Sequence, residues 1–542
     1  MKRIATACLV LLCAAAAALG QPVVTANGMV NAASAIQAGL PNGNLAQGSI
    51  FSIYGQNMGP AAPGVSATSF PLPTTLSNVS VNVKDSAGAN HAAILFFVYA
   101  GQINALLPSA TATGQASLTV TYNNQTSAPQ TFNVVAKSVG LFARNAAGSG
   151  PGVVQQYHNG NPTLNDITNS AYPGDVAVLW GTGLGPITGD ETEPPKQVNL
   201  GTPAQVWVGG QQVLPANIAY EGRSPDAGLD QINFTIPASA PQGCYVPVSV
   251  IINGIVSNTV SVSIMPNGGM CSDPLSIYQG LSTSQLQQNG LREGIVSVSQ
   301  STASFLGISE NSSDASGTFD KYNWTQLAAS RAGGLGISVL GACTVFTYSG
   351  ESGSAPDPIV PTFLDAGTLT LTTPSGAVPL TEQSTGVYSS ASGALPYPLA
   401  QGSYTVTASG GANVGAFTST LKLPAPFTWT NMSSIISTGV SLSQGVTVTW
   451  SGGSGQYVEI AGDSGVTTPQ VAGAVFYCLA PVSAGTFTVP PNVLLALPPS
   501  QLGALIVANT PVSSTFNPNP PSGLDVGSFS AGYTSVAIVS YQ

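Results

Sequence analysis

The chain has 542 residues and a formal net charge of −10, and only 6% of its residues are Asp, Glu, Lys or Arg. A disordered chain is excluded because 43% of the residues are hydrophobic. A nucleic-acid partner is excluded because, apart from Lys2 and Arg3 at the start, the basic residues are scattered singly and could not neutralise a row of phosphates. The length predicts about three to five domains, and the 62 glycines and 41 prolines favour strands and turns over helices.

The first twenty residues have the pattern of a secretory signal. The positive "MKR" precedes the apolar run "IATACLVLLCAAAAAL", and small residues before Gln21 form a cleavage site. After Gln21 no uninterrupted apolar run reaches the roughly eighteen residues of a membrane-spanning helix. We therefore expect a secreted, extracellular protein without a transmembrane span, and leave attachment to the cell surface open.

Four cysteines remain after the signal: Cys244, Cys271, Cys343 and Cys478. An even number of cysteines in an oxidising compartment predicts disulfides, with three connectivities for four residues. We favour Cys244 with Cys271 and Cys343 with Cys478, because each pair then stays within one half of the chain. The alternative is four buried free thiols.

A long repeat organises the first half. "GSIFSIYGQNMGP" (48–60) returns as "GDVAVLWGTGLGP" (174–186), and each copy continues into a Gln-Ile-Asn strand and two alternating strands around a polar turn. The turns are Asn123-Asn124 and Asn253-Gly254, and Asn-Gly between alternating apolar runs is a strong hairpin signal. Period-two alternation throughout predicts two small antiparallel β-sandwiches in tandem.

The glycines of "WGTGLGP" also suggest a dinucleotide-binding loop. That fold needs an amphipathic helix directly after the glycines and an acidic residue about twenty positions later. The chain continues after Pro186 with "ITGDETEPPKQ", which cannot form such a helix. We therefore predict that the glycines form turns at strand ends, and that the protein binds no cofactor.

A strand followed by Gly-x-Asn-x-Gly or Gly-x-Gly-x-Gly and a proline resembles the opening strand of IPT/TIG-type immunoglobulin-like domains. The region from Gln21 to about Pro266 resembles, more closely, an uncharacterised C-terminal domain family of large secreted acidobacterial (Solibacter-type) proteins. The matching motifs include "GMVNAAS", "LPTTLSNVSVNV", "FFVYAGQINALLP" and "DQINFTIP". The loop "YEGRSPDAGLDQINF" is more charged than the family pattern. The resemblance implies architecture and secretion, and it supplies no catalytic residues.

The fold class that we predict is all-β, a series of tandem immunoglobulin-like antiparallel β-sandwiches. After the signal at 1–20, the copies occupy 21–140 and 141–268. A linker or insert with a short helix covers 269–332, where "STSQLQQNGLREGIVSVSQ" is a plausible helical segment and "SENSSDASGTFDKYN" is a polar loop. Strand-like runs then resume and predict a third sandwich at 333–426 and a fourth at 427–542.

One stretch suggests a serine protease. "GDSG" at 462–465 resembles a nucleophile loop with Ser464, but a triad also needs a histidine and a carboxylate. The chain has only His91 and His158, in different copies of the repeat. We expect surface histidines there, and a hairpin turn formed by Asp463, Ser464 and Gly465.

The acidic residues suggest two further sites. The cluster of Asp190, Glu191 and Glu193 lies in a Pro-rich stretch, where a solvated loop is expected in place of the rigid carboxylate pair of a glycosidase. The second group comprises three acids that lack calcium-loop spacing: Glu310, Asp314 and Asp320. We therefore predict no metal site.

Among the five tryptophans, Trp180, Trp207 and Trp450 lie inside alternating strands and are expected in the core. Trp324 and Trp429 lie at segment edges and are the candidates for stacking on a sugar, although packing is favoured for them too. We predict no catalytic residues and a non-catalytic role in extracellular binding, adhesion or structure, with a polysaccharide, matrix or cell-surface protein as partner. The alternatives are an extracellular hydrolase, a glycoside hydrolase or protease with its site in the second half, and a passive spacer. The oligomeric state is not predicted.

Overall fold

The computed structural model describes residues 20–201, 203–272, 281, 283–305, 308–329, 339–350, 360–510, 512–516 and 523–542. The predicted signal therefore lies outside the described residues, except for Gly20. Strands dominate the described part of the chain, and they form several mostly antiparallel sheets packed in layers. The predicted all-β, immunoglobulin-like fold class is confirmed.

The first unit is a two-layer sandwich. Its strands are β1 (Val23–Asn31), β2 (Leu45–Ala46), β3 (Ile50–Gln56), β4 (Val65–Ser66), β5 (Thr75–Leu76), β6 (Val79–Lys84), β7 (Asn90–Ala92), β8 (Ile94–Val98), β9 (Gln102–Leu106), β10 (Gly114–Tyr122), β11 (Gln125–Thr126) and β12 (Gln130–Val135). One sheet has the order β1-β3-β9-β8-β4, and the other has the order β2-β12-β10-β6-β5. Alternate side chains of both sheets meet in one apolar core.

The second unit repeats this layout. Its strands are β13 (Gly140–Leu141), β14 (Gly150–Pro151), β15 (Val154–His158), β16 (Asn161–Leu164), β17 (Val176–Thr182), β18 (Val198–Asn199), β19 (Gln205–Val208), β20 (Gln211–Gln212), β21 (Ile218–Arg223), β22 (Asp230–Thr235), β23 (Gly243–Ile252), β24 (Ile255–Val256) and β25 (Val260–Ile264). The orders are β16-β15-β17-β22-β21-β18 and β14-β25-β23-β19-β20. The repeated motif forms β3 in one unit and β17 in the other.

The glycines of the repeated motif end a strand. Gly183 directly follows β17 with a φ of 102°, and a Cβ there would lie 2.2 Å from the carbonyl oxygen of Ser138. Only glycine fits such a close backbone approach at positive φ. Both predicted hairpin turns also use the left-handed region, with φ of 47° and 65° at Asn123 and Asn124 and 51° and 79° at Asn253 and Gly254.

A buried arginine of the second unit, paired with an aspartate, joins the two units. Arg223 on β21 is fully buried, and its Nε lies 2.7 Å from Oδ1 of Asp230 on β22. Its Nη2 donates to the carbonyl oxygens of Gly48 in the first unit, at 2.9 Å, and Gly185, at 3.2 Å. Asp230 Oδ2 accepts the N–H of Leu184 at 2.8 Å. The motif glycines therefore lie at the junction between the units, where they pack against a charged side chain.

The C-terminal half contains the remaining elements. They are α1 (Thr283–Asn289), β26 (Leu291–Phe305), β27 (Ile308–Tyr322), α2 (Trp324–Ala329), β28 (Cys343–Ser349), β29 (Thr362–Phe363), β30 (Leu369–Thr373), β31 (Gly376–Ser384), β32 (Val387–Ser390), β33 (Ser403–Ala408), β34 (Phe417–Lys422), β35 (Phe427–Trp429), α3 (Met432–Thr438), β36 (Val446–Gly452), β37 (Tyr457–Val466), β38 (Ala472–Pro481), β39 (Thr486–Val489), α4 (Pro491–Leu494), β40 (Ser500–Asn509), β41 (Val512–Thr515) and β42 (Val526–Tyr541).

A fourteen-stranded sheet runs through this half, which we call the large sheet. Its order is β28-β38-β37-β40-β42-β26-β27-β32-β31-β30-β33-β34, with β29 paired to β27 and β41 to β42. Strands β35, β36 and β39 form a small second sheet. One apolar cluster extends from Val296 to Tyr541, so the segments predicted as a third and a fourth sandwich share a core.

The segment predicted as a linker or insert, 269–332, differs most from its prediction. The short helix is present as α1, but β26 and β27 follow it as a hairpin of two fifteen-residue strands. Strand β26 also pairs in parallel with the last strand, from Glu293 to Ser304. Val296 and Val298 are among the few apolar side chains that β26 directs into the core, and polar residues occupy most of the other positions of the hairpin. The alternation of apolar and polar residues is therefore weak in the sequence.

The structure contains both cysteine pairs that the sequence favoured. Cys244 on β23 is joined to Cys271, which follows β25. Cys343 on β28 is joined to Cys478 on β38, where the two residues are cross-strand partners. Among the described residues, no helix is long and apolar enough to cross a membrane.

Candidate functional site

The serine of the protease-like motif lies in a strand. "GDSG" is part of β37, and the predicted turn lies beyond it, after Val466. Ser464 is 1% exposed, and its hydroxyl donates to the carbonyl oxygen of Pro498 at 2.5 Å. His91 and His158 belong to the first and second units. The structure therefore does not bring Ser464 together with either histidine, and its hydroxyl holds two segments of the C-terminal half together.

Each histidine pairs with an aspartate of its own unit. His91 Nε2 lies 2.8 Å from Asp85 Oδ2. Asp85 also accepts the backbone N–H groups of Ala112, Ala89 and Ala87, and the bonds from Ala112 and His91 are the main reasons why its pKa is lowered to about 2. This carboxylate therefore ties the β6–β7 turn to the segment before β10.

The second histidine pair has the same local role. His158 Nδ1 lies 2.8 Å from Asp175 Oδ1, and the His158 ring stacks on Tyr172 with centroids 3.8 Å apart. Asp175 Oδ2 accepts the N–H of Tyr172. The pair therefore holds the end of β15 against the turn before β17.

The predicted acidic groups do not converge. Glu191 accepts the N–H and hydroxyl of Ser109, both at 2.7 Å, and so docks its loop on the first unit. Glu310 and Asp314 project from β27, whereas Asp320 is buried opposite Glu293. In the part of the chain that the structure describes, no group of three or more His, Cys, Asp or Glu side chains could hold a metal ion.

The two tryptophans singled out for stacking pack against apolar side chains. Trp429 is 5% exposed, and its Nε1 donates to Asn431 Oδ1 at 2.9 Å, so neither ring face is free for a sugar. Trp324 begins α2 and is half-buried against the cluster formed by Leu286, Leu291 and Val526. We therefore do not propose a ligand site at either tryptophan.

One face of the large sheet carries a different set of aromatic and acidic side chains. On β28, β38 and β37 the core residues Val345, Phe476 and Ile460 mark the inward positions. Because successive side chains of a strand point to opposite faces, the residues between them point away from the core. We call this surface the outer face; it is formed by Phe346, Tyr348, Glu459, Asp463, Val475 and Tyr477.

Tyr348 is the most exposed ring of the outer face, at 38%. A Cβ on Gly473, its cross-strand partner, would lie 2.4 Å from the Tyr348 ring, and one on Gly465 would lie 3.4 Å from its hydroxyl. The ring therefore lies over Gly473, and its hydroxyl reaches Gly465. Its hydroxyl donates to Asp463 Oδ1 at 2.9 Å, which fixes the orientation of the ring.

The ionisation states on the outer face follow from its partial burial. Burial, the hydrogen bond to Asp463 and the Asp463 charge raise the pKa of Tyr348 to about 12, so its hydroxyl stays a donor at neutral pH. Burial raises the pKa of Glu459, and burial followed by the charges of Glu459 and Asp463 raises that of Tyr477. Phe346 and Tyr477 lie beside each other, with ring centroids 6.2 Å apart.

Such a surface can hold a flat, hydroxyl-rich ligand. Aromatic rings offer apolar faces, and carboxylates accept hydrogen bonds from hydroxyl groups. The sequence carried a signal for it, since Phe346 and Tyr348 are two residues apart in "TVFTYS" on a predicted strand. The glycines opposite them and the approach of Asp463, 115 residues away, depend on register and could not be seen.

A pocket of about 180 Å³ between the second unit and the C-terminal half contains unpaired polar atoms. Trp207 Nε1 and Asn492 Oδ1 line it, and neither has a hydrogen-bond partner in the described structure. Its volume suits a small molecule and not a polymer. The outer face is therefore the candidate for a polymeric ligand.

No curated protein is significantly similar to the chain. A protein of unknown function from Bacteroides thetaiotaomicron is 12% identical over 42% of this chain and 46% of that one, with a TM-score of 0.15, so the match spans less than half of that protein. A tetra-tandem repeat in the extending region of a large adhesion protein is 14% identical over 91% of this chain and 96% of that one, with a TM-score of 0.13.

Domains 5–6 of the S-layer protein SbsC are 12% identical over 45% of this chain and 98% of that one, with a TM-score of 0.16. The similarity of the first half to a secreted acidobacterial domain family, over about 21–266, stays a prediction. A family match supports a narrower part of that resemblance. Residues 35–134, most of the first unit, match the IPT/TIG domain family.

Proposed function

We propose that the protein is a secreted, non-catalytic binding protein, and that its ligand is an extracellular polysaccharide held on the outer face of the large sheet. The observation that carries the proposal is Tyr348, whose ring lies on Gly473 and whose hydroxyl is held by Asp463. The ring is therefore already oriented before a ligand arrives, which lowers the entropy cost of binding.

The chemistry of the outer face favours a neutral glycan. Asp463 and Glu459 lie among three aromatic rings and would repel an acidic polymer, as would the chain's net charge of −10. The face is a sheet surface and not an enclosed pocket, so it suits a segment within a long chain better than a free sugar. The two N-terminal units act as a scaffold in this proposal, because buried contacts such as that of Arg223 join them.

The test is binding of soluble neutral polysaccharides to the purified protein, measured by affinity electrophoresis and calorimetry. For Tyr348→Ala we expect a loss of roughly thirtyfold, since a central aromatic anchor contributes about 2 kcal/mol or more to binding. Gly473→Ala should weaken binding similarly while keeping the tyrosine, because its methyl group displaces the ring. Asp463→Asn should cost less than either, because the amide oxygen can still accept the Tyr348 hydroxyl.

The matched control is Tyr397→Ala, which removes an exposed tyrosine on a different part of the C-terminal half. It should bind as the unchanged protein does. If Tyr348→Ala and Tyr397→Ala have the same affinity, or if no neutral polysaccharide binds, the outer face is not a site for a neutral glycan and the proposed function fails.

A further inference from the structure

The hairpin β26–β27 leaves part of one strand without a second neighbour. Strand β27 pairs with β26 along its whole length, from Ile308 to Tyr322. On its other side it pairs with β32 over Ser316–Thr318 and with β29 over Asp320–Lys321. No strand among the described residues pairs with Ile308–Asp314 on that side. The side chains from Ile308 to Ser312 are all exposed, with Ile308 68% exposed.

The neighbouring residue Ala315 shows which main-chain groups point out of this edge. Ala315 directs its N–H away from β26, since it donates to Ser390 Oγ at 3.0 Å. In an antiparallel strand, alternate residues direct their N–H and C=O to the same neighbour. Ser309, Asn311 and Ser313 therefore present their N–H and C=O groups outward. We call Ile308–Asp314 the open edge.

The side chains of the open edge alternate in character. Glu310 and Asp314 point to one face, together with Ile308 and Ser312, because they are two or four residues apart. A strand added to this edge would place its own side chains directly beside these acids, and like charges opposite each other are destabilising. A second copy of the chain offers little to pair with them, because it has 11 basic residues against 21 acidic ones, and apart from Lys2 and Arg3 the basic residues are scattered singly.

We propose that the open edge binds an extended segment of another protein, one that carries Lys or Arg at alternate positions. The segment adds as an antiparallel strand, and its main chain bonds to Ser309 and Asn311, because Ser313 is only 7% exposed. Its basic side chains lie beside Glu310 and Asp314. Main-chain bonds supply the affinity of strand addition, and side chains at alternate positions supply its specificity. This site is separate from the outer-face aromatics and does not depend on the proposed glycan binding.

The test uses fluorescein-labelled nine-residue peptides and measures anisotropy at low salt. A peptide of alternating Lys and Thr should bind the full chain, and one of alternating Glu and Thr should not. Asn311→Pro removes an outward N–H without removing a bond to β26, and proline is tolerated on edge strands. It should weaken binding of the Lys-Thr peptide roughly tenfold or more.

Two variants and one measurement keep the test decisive. Asn311→Ala loses the same side chain but keeps the N–H, so it should bind normally. The double variant Glu310→Gln/Asp314→Asn should lose the preference for the Lys peptide. Equal binding by Asn311→Pro and Asn311→Ala would show that charge alone attracts the peptide, and would overturn the proposal. So would binding of neither peptide, or a concentration-dependent dimer of the full chain that Asn311→Pro abolishes. Thermal unfolding confirms that each variant is folded.

Discussion

Replacing Arg223 by alanine should lower the local free energy of unfolding at the junction of the first two units by about 3–5 kcal/mol, the usual cost of removing one partner of a buried ion pair. Asp230 would remain fully buried without its counterion. The carbonyl oxygens of Gly48 and Gly185 would lose their donor in the same step. A loss of this size would open the contact between the units before either sandwich unfolds.

The ion pair does not need to be a net source of stability for this result. Burial already raises the pKa of Asp230 to about 6, and the Arg223 charge is the strongest influence that opposes the rise. Replacing both partners by apolar residues, as in Arg223→Met/Asp230→Leu, should therefore cost less than Arg223→Ala alone. If the double variant is the less stable of the two, the penalty comes from packing and not from the unpaired carboxylate.

Hydrogen exchange measured by mass spectrometry suits this prediction, because a chain of several units does not unfold in two states. Peptides from β17 and β22 report opening at the junction, and peptides from β10 report the first unit alone. Arg292→Ala is the control, since Arg292 forms a half-exposed pair with Asp525 at 3.2 Å. Exposed pairs contribute about 0–1 kcal/mol, so exchange in its strand should change little.

Local patterns were enough to predict the repeated units. Gly-rich strand ends and Asn turns at 123–124 and 253–254 reflect backbone demands of a few residues, and these are visible in a sequence. The loop "YEGRSPDAGLDQINF" is visibly more charged than the family pattern. Its role at the junction is not visible in the sequence, because Arg223 reaches Gly48 from 175 residues away and only the packed units bring them together.

The C-terminal half was harder for a physical reason. Near the tip of its long hairpin, β26 carries serines and a threonine and β27 carries serines and Asn311, so alternation could not mark the tip as sheet. Its aromatic surface is formed by three strands, and β28 precedes the other two by more than a hundred residues. A tryptophan attracts notice in a sequence, but here Trp429 fills the core and a tyrosine that lies over a glycine faces solvent.

Asp320 should make the stability of the C-terminal half fall as pH rises from about 4 to 7, and Asp320→Asn should remove that contribution. Asp320 and Glu293 are cross-strand partners, and both are buried. Asp320 Oδ1 accepts no hydrogen bond from any described group, and the Tyr322 hydroxyl lies 3.5 Å from Oδ2. Burial, and then the charge of Glu293, raise the pKa of Asp320 to about 7.

The direction follows from which state holds the proton. Below about pH 4 the Asp320 carboxyl is protonated in both the folded and the unfolded chain, so it adds no penalty. Between about 4 and 7 the unfolded chain releases the proton while the folded chain keeps it, so stability falls with rising pH. Above 7 the full penalty is present, on the order of 2–4 kcal/mol for a shift of this size.

Asp320→Asn should therefore leave stability at pH 4 nearly unchanged and raise it at pH 8, and its amide can donate to Glu293. Urea unfolding of both proteins at several pH values, monitored by hydrogen exchange of β26 and β27, measures the difference. Other pH effects are the same in both proteins and cancel. Glu310→Gln, on the exposed part of β27, is the control and should keep the pH profile of the unchanged protein. A parallel pair of profiles for Asp320→Asn and the unchanged chain would mean that Asp320 ionises as easily in the fold as outside it, and that the pair is open to water.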